Sequence, residues 1–65
     1  MDDAVAVGAA IRAARKSNLL SQGQLAELAG VSERTVRDIE KGRGSVSFGS
    51  VVAAAAVLGL RIGIV

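Results

Sequence analysis

The sequence contains no cysteine and no histidine, and these two absences exclude several kinds of chemistry. Without cysteine the chain can form neither a disulfide framework nor a thiolate metal site. Without histidine it lacks the most common general base and the most common metal ligand. The remaining carboxylates are scattered and form no catalytic constellation. We therefore expect a protein that is not an enzyme and that uses no cofactor and no metal.

Long apolar runs are also missing. The longest, Val51–Leu60, is too short to cross a bilayer. The N-terminus begins with Asp2 and Asp3 rather than with the basic residues of a secretory signal. These features predict a cytoplasmic protein with no membrane contact.

The chain is short but rich in apolar residues. Its 65 residues suffice for one small domain, which buries only a modest fraction of its surface. The apolar fraction of 51% is high for an isolated domain of this size. Because no disulfide or metal can stabilise the chain, oligomerisation is the common route that remains. We expect a single domain over residues 1–65 that associates with itself.

Positive charge is concentrated in one part of the chain. The net charge is only +2, yet seven of the eight cations precede residue 44. Four of these cations surround a single predicted helix, and they are Arg34, Arg37, Lys41 and Arg43. A local basic surface indicates a nucleic-acid partner better than the net charge does. A solvated helix face remains the alternative interpretation of this cluster.

The central stretch, residues 21–43, has the signals of two short helices joined by a tight turn. Ser21 can cap the first helix, and Gln24 stands three residues later, where a capping box requires Glu or Gln. Gly30 favours the left-handed turn that ends a helix. Ser32 follows almost at once and can cap the second helix.

The apolar residues of this stretch predict how the two helices pack. Leu25, Leu28 and Ala29 fall on one face of the first helix, and Val36 and Ile39 form the apolar stripe of the second. Two short helices joined so tightly must cross at a steep angle, which requires small residues at the crossing. This arrangement is the sequence form of a helix-turn-helix.

Two further helices flank this unit. The first is predicted from Ala4 to Ser17, with Asn18 ending it in a left-handed conformation. Gly8 weakens this helix, and it marks either close packing or fraying. A last helix should begin after the capping residue Ser47, and its Phe48, the only aromatic residue, should anchor the core.

The last six residues change to a period of two, which predicts a β-strand over residues 60–65. Leu60, Ile62 and Ile64 would face the same way. A lone strand cannot satisfy its backbone groups, so the simplest partner is the same strand of a second copy across a twofold axis. A floppy apolar tail is the alternative interpretation.

The central stretch resembles the DNA-binding unit of phage repressors and the wider xenobiotic-response-element family. The resemblance rests on six positions at matching intervals, which are Leu25, Ala26, Gly30, Val31, Val36 and Ile39. It implies an all-α fold: a compact four-helix, repressor-like helix-turn-helix domain, to which the tail adds a short C-terminal β-strand pairing across a homodimer. It also implies a structural ion pair between Arg15 and Glu40, with a phosphate contact for Arg15 as the alternative.

The predicted DNA-binding residues follow from the docking of such a motif, whose second helix enters the major groove. The candidate base contacts are Ser32, Glu33, Arg34, Thr35, Arg37 and Asp38. Arg34 is the best of them, since a guanidinium can pair with O6 and N7 of a guanine. Glu33 either accepts from a cytosine amine, holds a neighbouring arginine, or favours the helix start. The candidate phosphate contacts are Gln22, which the resemblance implies, together with Lys41 and Arg43.

Together these features predict a dimeric, sequence-specific DNA-binding protein that represses transcription from a palindromic operator on double-stranded DNA. Repressor-like helices followed by a short C-terminal strand also resemble the HipB-like antitoxins of HipA-type kinase toxins. That resemblance implies a kinase toxin as a second partner. A helical protein-interaction module, in which the apolar last helix and tail matter most, is the alternative from another functional class.

Overall fold

Four α-helices form the part of the protein that the computed structural model describes, residues 3–62. They are α1 (Asp3–Ser17), α2 (Gln22–Ala29), α3 (Glu33–Glu40) and α4 (Phe48–Val57). The predicted all-α, four-helix domain is therefore confirmed over these residues. None of the described helices is long and apolar enough to cross a membrane.

The caps of the two central helices form as predicted. The hydroxyl of Ser21 accepts from the backbone N–H of Gln24 at 3.0 Å, and the side chain of Gln24 accepts from the N–H of Ser21 at 2.8 Å. Gly30 ends α2 in the left-handed region, with φ of 73°. Ser32 caps α3 by accepting from the N–H of Thr35 at 3.0 Å. Local hydrogen bonds thus set the bounds of both helices.

The end of α1 differs from the prediction. Leu19, not Asn18, adopts positive φ, at 58°. Asn18, the residue after α1, donates from both its backbone N–H and its side-chain amide to the carbonyl of Ala14, at 3.0 and 2.7 Å. The turn at Leu19 leaves that side chain 90% exposed.

The predicted C-terminal strand does not form in the part of it that the structure describes. Leu60 donates its backbone N–H to the carbonyl of Ala55 at 2.9 Å, which closes the end of α4. Its side chain packs against the core of its own chain. No strand is present at Leu60–Ile62, and the remaining three residues of the prediction, including Ile64, lie outside the described residues.

One apolar core joins all four helices. Its buried members are Ile11 from α1, Leu25 and Ala26 from α2, Val36 and Ile39 from α3, and Ala54 from α4. α1 packs against α3, while α2 packs against both α3 and α4. Ala26 is buried in this core, and its small side chain adds little bulk to the packed face of α2.

Two predicted core residues point to solvent instead. Leu28 is 62% exposed, because the buried stripe of α2 is centred between Leu25 and Ala26 and Leu28 lies beyond its edge. Phe48 is 71% exposed, and α4 buries Ala54 instead. Phe48 is the first residue of α4, and it lines an open apolar groove with Val7 and Val46 instead of entering the core.

Gly8 marks close packing rather than fraying. A Cβ atom at Gly8 would collide with the backbone carbonyl oxygen of Ile39 and lie 3.2 Å from that of Glu40. Gly42, just after α3, also allows a close approach to α1. A Cβ atom there would lie 2.8 Å from Cα of Val5, and the φ of Gly42 is 77°. Two glycines therefore allow α1 to rest directly on the C-terminal end of α3.

We predict that Gly8→Ala destabilises the protein by about 1–3 kcal/mol, as overpacking does. The backbone of α3 cannot yield without shifting the helix, and this cost exceeds the gain of about 1 kcal/mol from replacing glycine in a helix. Urea unfolding followed by circular dichroism measures the change.

The matched control is Gly49→Ala in α4, where a Cβ atom meets nothing within 4 Å. This variant should unfold at the same or a higher urea concentration than the parent protein. An increase in stability for both variants would show that α1 does not pack this closely on α3.

Candidate nucleic-acid interface

The exposed face of α3 is charged and mainly basic. Val36 and Ile39 are buried, and they fix which side of the helix faces the core. The opposite side carries four exposed charged residues, Glu33, Arg34, Arg37 and Lys41. Because α3 is short and lies at the surface, this face can enter a groove without rearrangement of the core.

Arg34 is the most available cation on this face. Within residues 3–62 its side chain makes no hydrogen bond and no ion pair. Its planar guanidinium therefore keeps its N–H donors free for an external acceptor. The O6 and N7 atoms of a guanine, or a phosphate, match that donor geometry.

The other predicted base contacts are engaged within the protein. The hydroxyls of Ser32 and Thr35 are 2.9 Å apart, and both take part in the cap of α3. Oδ1 of Asp38 lies 3.4 Å from Nε of Arg43, whose side chain remains 59% exposed. Asp38 thus holds one of the predicted phosphate contacts beside the end of α3.

The two residues that the resemblance pairs, Arg15 and Glu40, form a bidentate ion pair. Nε and Nη2 of Arg15 lie 2.7 and 3.0 Å from the two carboxylate oxygens of Glu40. Arg15 also donates to the carbonyl of Leu20 at 2.8 Å, and Gln22 donates to Glu40 at 3.2 Å. The Glu40 side chain is 3% exposed. This cluster ties the end of α3 to α1 and to the start of α2.

The environment of Glu40 favours its charged form. Burial acts to raise the pKa of Glu40, but hydrogen bonds from Arg15 and Gln22 and the attraction of Arg15 and Arg12 outweigh it, so the pKa is lowered. The hydrogen bond to Glu40 raises the pKa of Arg15, against the opposing effect of burial. Both partners are therefore charged at neutral pH.

A polar cleft adjoins the ion pair between α1, α2 and the end of α3. Its lining is formed by Arg12, Arg15, Ser21, Gln22, Arg37, Glu40 and Lys41. Gln22 and Lys41, two predicted phosphate contacts, meet here, whereas Arg43 lies elsewhere. An open cleft with several cations suits a phosphate group.

Arg12 is the residue of this cleft that the sequence interpretation missed. In the sequence Arg12 is one of several cations near the C-terminal end of a helix, and the favourable interaction of cations with the helix dipole is enough to explain its position. The signal that could have found it is spacing: Arg12 stands one turn before Arg15, on the side of α1 that meets α3. In the described part of the chain, neither Arg12 nor Lys41 has a hydrogen-bond or ion-pair partner for its side chain.

A short helix with an exposed basic face, set by a tight turn against a second short helix, defines a helix-turn-helix DNA-binding domain. A family model described as helix-turn-helix matches residues 11–65. The chain therefore belongs to the helix-turn-helix family of the phage-repressor type. The family is one of DNA-binding proteins, typically non-enzymatic, that regulate transcription. No curated protein sequence matches the chain.

We predict that Glu40→Gln lowers stability by about 3 kcal/mol at pH 7, because Arg15 would keep its charge without a charged partner. The folded pKa of Glu40 lies below its unfolded pKa of about 4.3. Its contribution is thus fully present above pH 4.3 and is lost as pH falls through the folded value.

The stability difference between parent and Glu40→Gln should therefore shrink in acid, as measured by urea unfolding from pH 7 down to about pH 2. Taking the difference cancels the titration of the other carboxylates. Glu27→Gln, at an exposed residue without an ion pair, is the control and should change stability by less than about 0.5 kcal/mol. A difference that stays constant with pH would contradict the ionic role of Glu40.

Proposed function

We propose that the protein is a sequence-specific transcriptional regulator that inserts α3 into the major groove of double-stranded DNA. The observation that carries this proposal is Arg34, an exposed and unpaired guanidinium on the outer face of α3. Membership of the helix-turn-helix family supports the same surface. The proposed location is the cytoplasm, where an operator is accessible to a small regulator.

The contacts divide into two groups. The base contacts are Ser32, Glu33, Arg34, Thr35, Arg37 and Asp38, with Arg34 reading a guanine. The phosphate contacts are Gln22, Lys41 and Arg43, to which the cleft adds Arg12. Contacts to phosphate supply affinity and salt dependence but no sequence information. Specificity therefore rests on the α3 residues, and Arg34 supplies its largest share.

We further propose that the regulator is a repressor that acts as a homodimer on a palindromic operator. Ile62 and Ile64 would pair with the same residues of the second copy in an antiparallel ribbon, and Leu60, which packs against the core of its own chain, would join the ribbon only by leaving that position. The high apolar fraction of the chain and the 39% exposure of Ile62 support an interface at this end. Two α3 helices related by a twofold axis would reach half-sites about one helical turn apart or a multiple of it.

The narrowest version of the proposal makes the protein the antitoxin of a HipA-type kinase toxin, repressing its own operon. Its support is the sequence resemblance of the helices and tail, together with exposed apolar side chains at Phe48 and Val52. The same side chains favour the second candidate function, a module whose main role is to bind a protein. Binding of DNA with sequence preference separates the two functions.

We predict that Arg34→Ala weakens binding to a selected DNA site by about 1–3 kcal/mol and relaxes the preference at one base pair. The loss removes a bidentate base contact and leaves the fold intact, since Arg34 is exposed and unpaired. Selection from a random duplex pool, followed by fluorescence anisotropy titration, measures both effects.

Two comparison variants sharpen this experiment. Lys41→Ala should weaken binding to all sequences similarly. It should also make the slope of log affinity against log salt concentration shallower, by about the amount that one phosphate contact contributes. Lys16→Ala removes an equal charge from the last turn of α1, at a residue outside the α3 face and outside the lining of the cleft, and should leave the sequence preference unchanged. An Arg34→Ala protein with unchanged sequence preference would refute the recognition role and favour the protein-interaction function.

We predict that the double variant Ile62→Asp/Ile64→Asp, made in the full chain, shifts the protein from dimer to monomer. Buried charges oppose the pairing of two apolar strand faces. Sedimentation equilibrium measures the association state. Arg61→Ser, on the opposite face of the proposed strand, is the control and should remain a dimer. A parent protein that is monomeric at every concentration would refute the ribbon.

A further inference from the structure

The carboxylate of Glu33, the first residue of α3, bridges two parts of the DNA-facing surface. One oxygen lies 3.3 Å from Nη2 of Arg37, one turn along the same helix. The other lies over the start of α2, where a Cβ atom built on Gly23 would be 2.9 Å from it. Gly23 has no side chain, and this allows Glu33 to approach so closely.

The start of α2 is a place where negative charge is favourable. The first N–H groups of a helix point outward, and the helix dipole adds a partial positive charge there. In helix-turn-helix docking the first helix of the motif crosses the DNA backbone. The carboxylate of Glu33 therefore lies beside the region that a DNA phosphate must approach.

Arg37 is affected by the same contact. Its side chain is 46% exposed, but the guanidinium is paired with Glu33, which partly neutralises it toward an incoming phosphate. A DNA backbone that approaches α3 thus meets a carboxylate at the start of α2 and an occupied arginine beside it. Both effects oppose binding that depends on phosphate alone.

We propose that Glu33 is a specificity-determining residue that suppresses binding to non-cognate DNA. On a wrong sequence the carboxylate repels the backbone and gains nothing in return. On the right sequence a base-edge amine, such as that of a cytosine, donates a hydrogen bond to the Glu33 carboxylate, and this bond offsets the repulsion. Discrimination then comes from a repulsive element as well as from attractive contacts. This inference rests on the proposed DNA-binding function.

The test compares the parent protein with Glu33→Gln in the full chain. The probes are a duplex selected by the parent protein and a scrambled duplex of equal length and composition, titrated by fluorescence anisotropy at several salt concentrations. Glu33→Gln should bind the scrambled duplex more tightly and the selected duplex no more tightly. The ratio of the two affinities should fall by about tenfold or more.

The charge-matched control is Glu27→Gln, at an exposed α2 residue with no hydrogen bond or ion pair to any described side chain. It changes the net charge equally and should leave the affinity ratio unchanged. If Glu33→Gln and Glu27→Gln raised the affinity for both duplexes equally, the effect would come from the change in net charge alone, and the proposal would be overturned.

A double-mutant cycle tests whether the effect passes through Arg37. In an Arg37→Ala background, Glu33→Gln should raise the affinity for scrambled DNA by a smaller factor than in the parent protein. An undiminished factor would overturn the bridging role. If selection with the parent protein enriches no duplex, the proposed function itself fails, whereas sequence-selective binding by the parent with no change in Glu33→Gln refutes only this inference.

Discussion

The ion pair between Arg15 and Glu40 is the interaction on which the presentation of α3 depends. An isolated helix of eight residues has little stability in water, so its direction must come from its neighbours. Val36 and Ile39 hold one side of α3 to the core, and Glu40 ties its end to α1 and α2. The pair is bidentate and buried, and it leaves α3 little freedom to tilt. Arg34 is therefore offered to solvent in a defined position.

Pairing, rather than the number of cations, organises the charge of this surface. Arg15, Arg37 and Arg43 each have an acidic partner, so their side chains are oriented and partly neutralised. Arg34 and Lys41 have no such partner among the described residues. A net charge of +2 would suggest a weak attraction to DNA. The local arrangement instead concentrates free positive charge on α3 and in the adjoining cleft, where a phosphate or a base can meet it.

The apolar surface is the other consequence of small size. The core cluster consists of one or two side chains from each helix, and two of these, Ala26 and Ala54, are alanines. Large apolar groups such as Phe48 and Ile62 consequently remain at the surface. Their exposure is costly in a protein that acts alone and is useful in one that associates. This balance supports both proposals of association, the homodimer and the protein partner.

The sequence alone determined the local features: helix bounds, the caps at Ser21 and Ser32, and the left-handed turn at Gly30. Such features depend on hydrogen bonds between residues a few positions apart, which a pattern of residues specifies directly. Only the tertiary structure decided that Phe48 faces solvent and that Arg12 joins a cleft. Those outcomes depend on which elements come together in space: Phe48 lies in a groove beside α1, and the cleft at Arg12 is formed by residues of α1, α2 and α3 that are far apart in the chain.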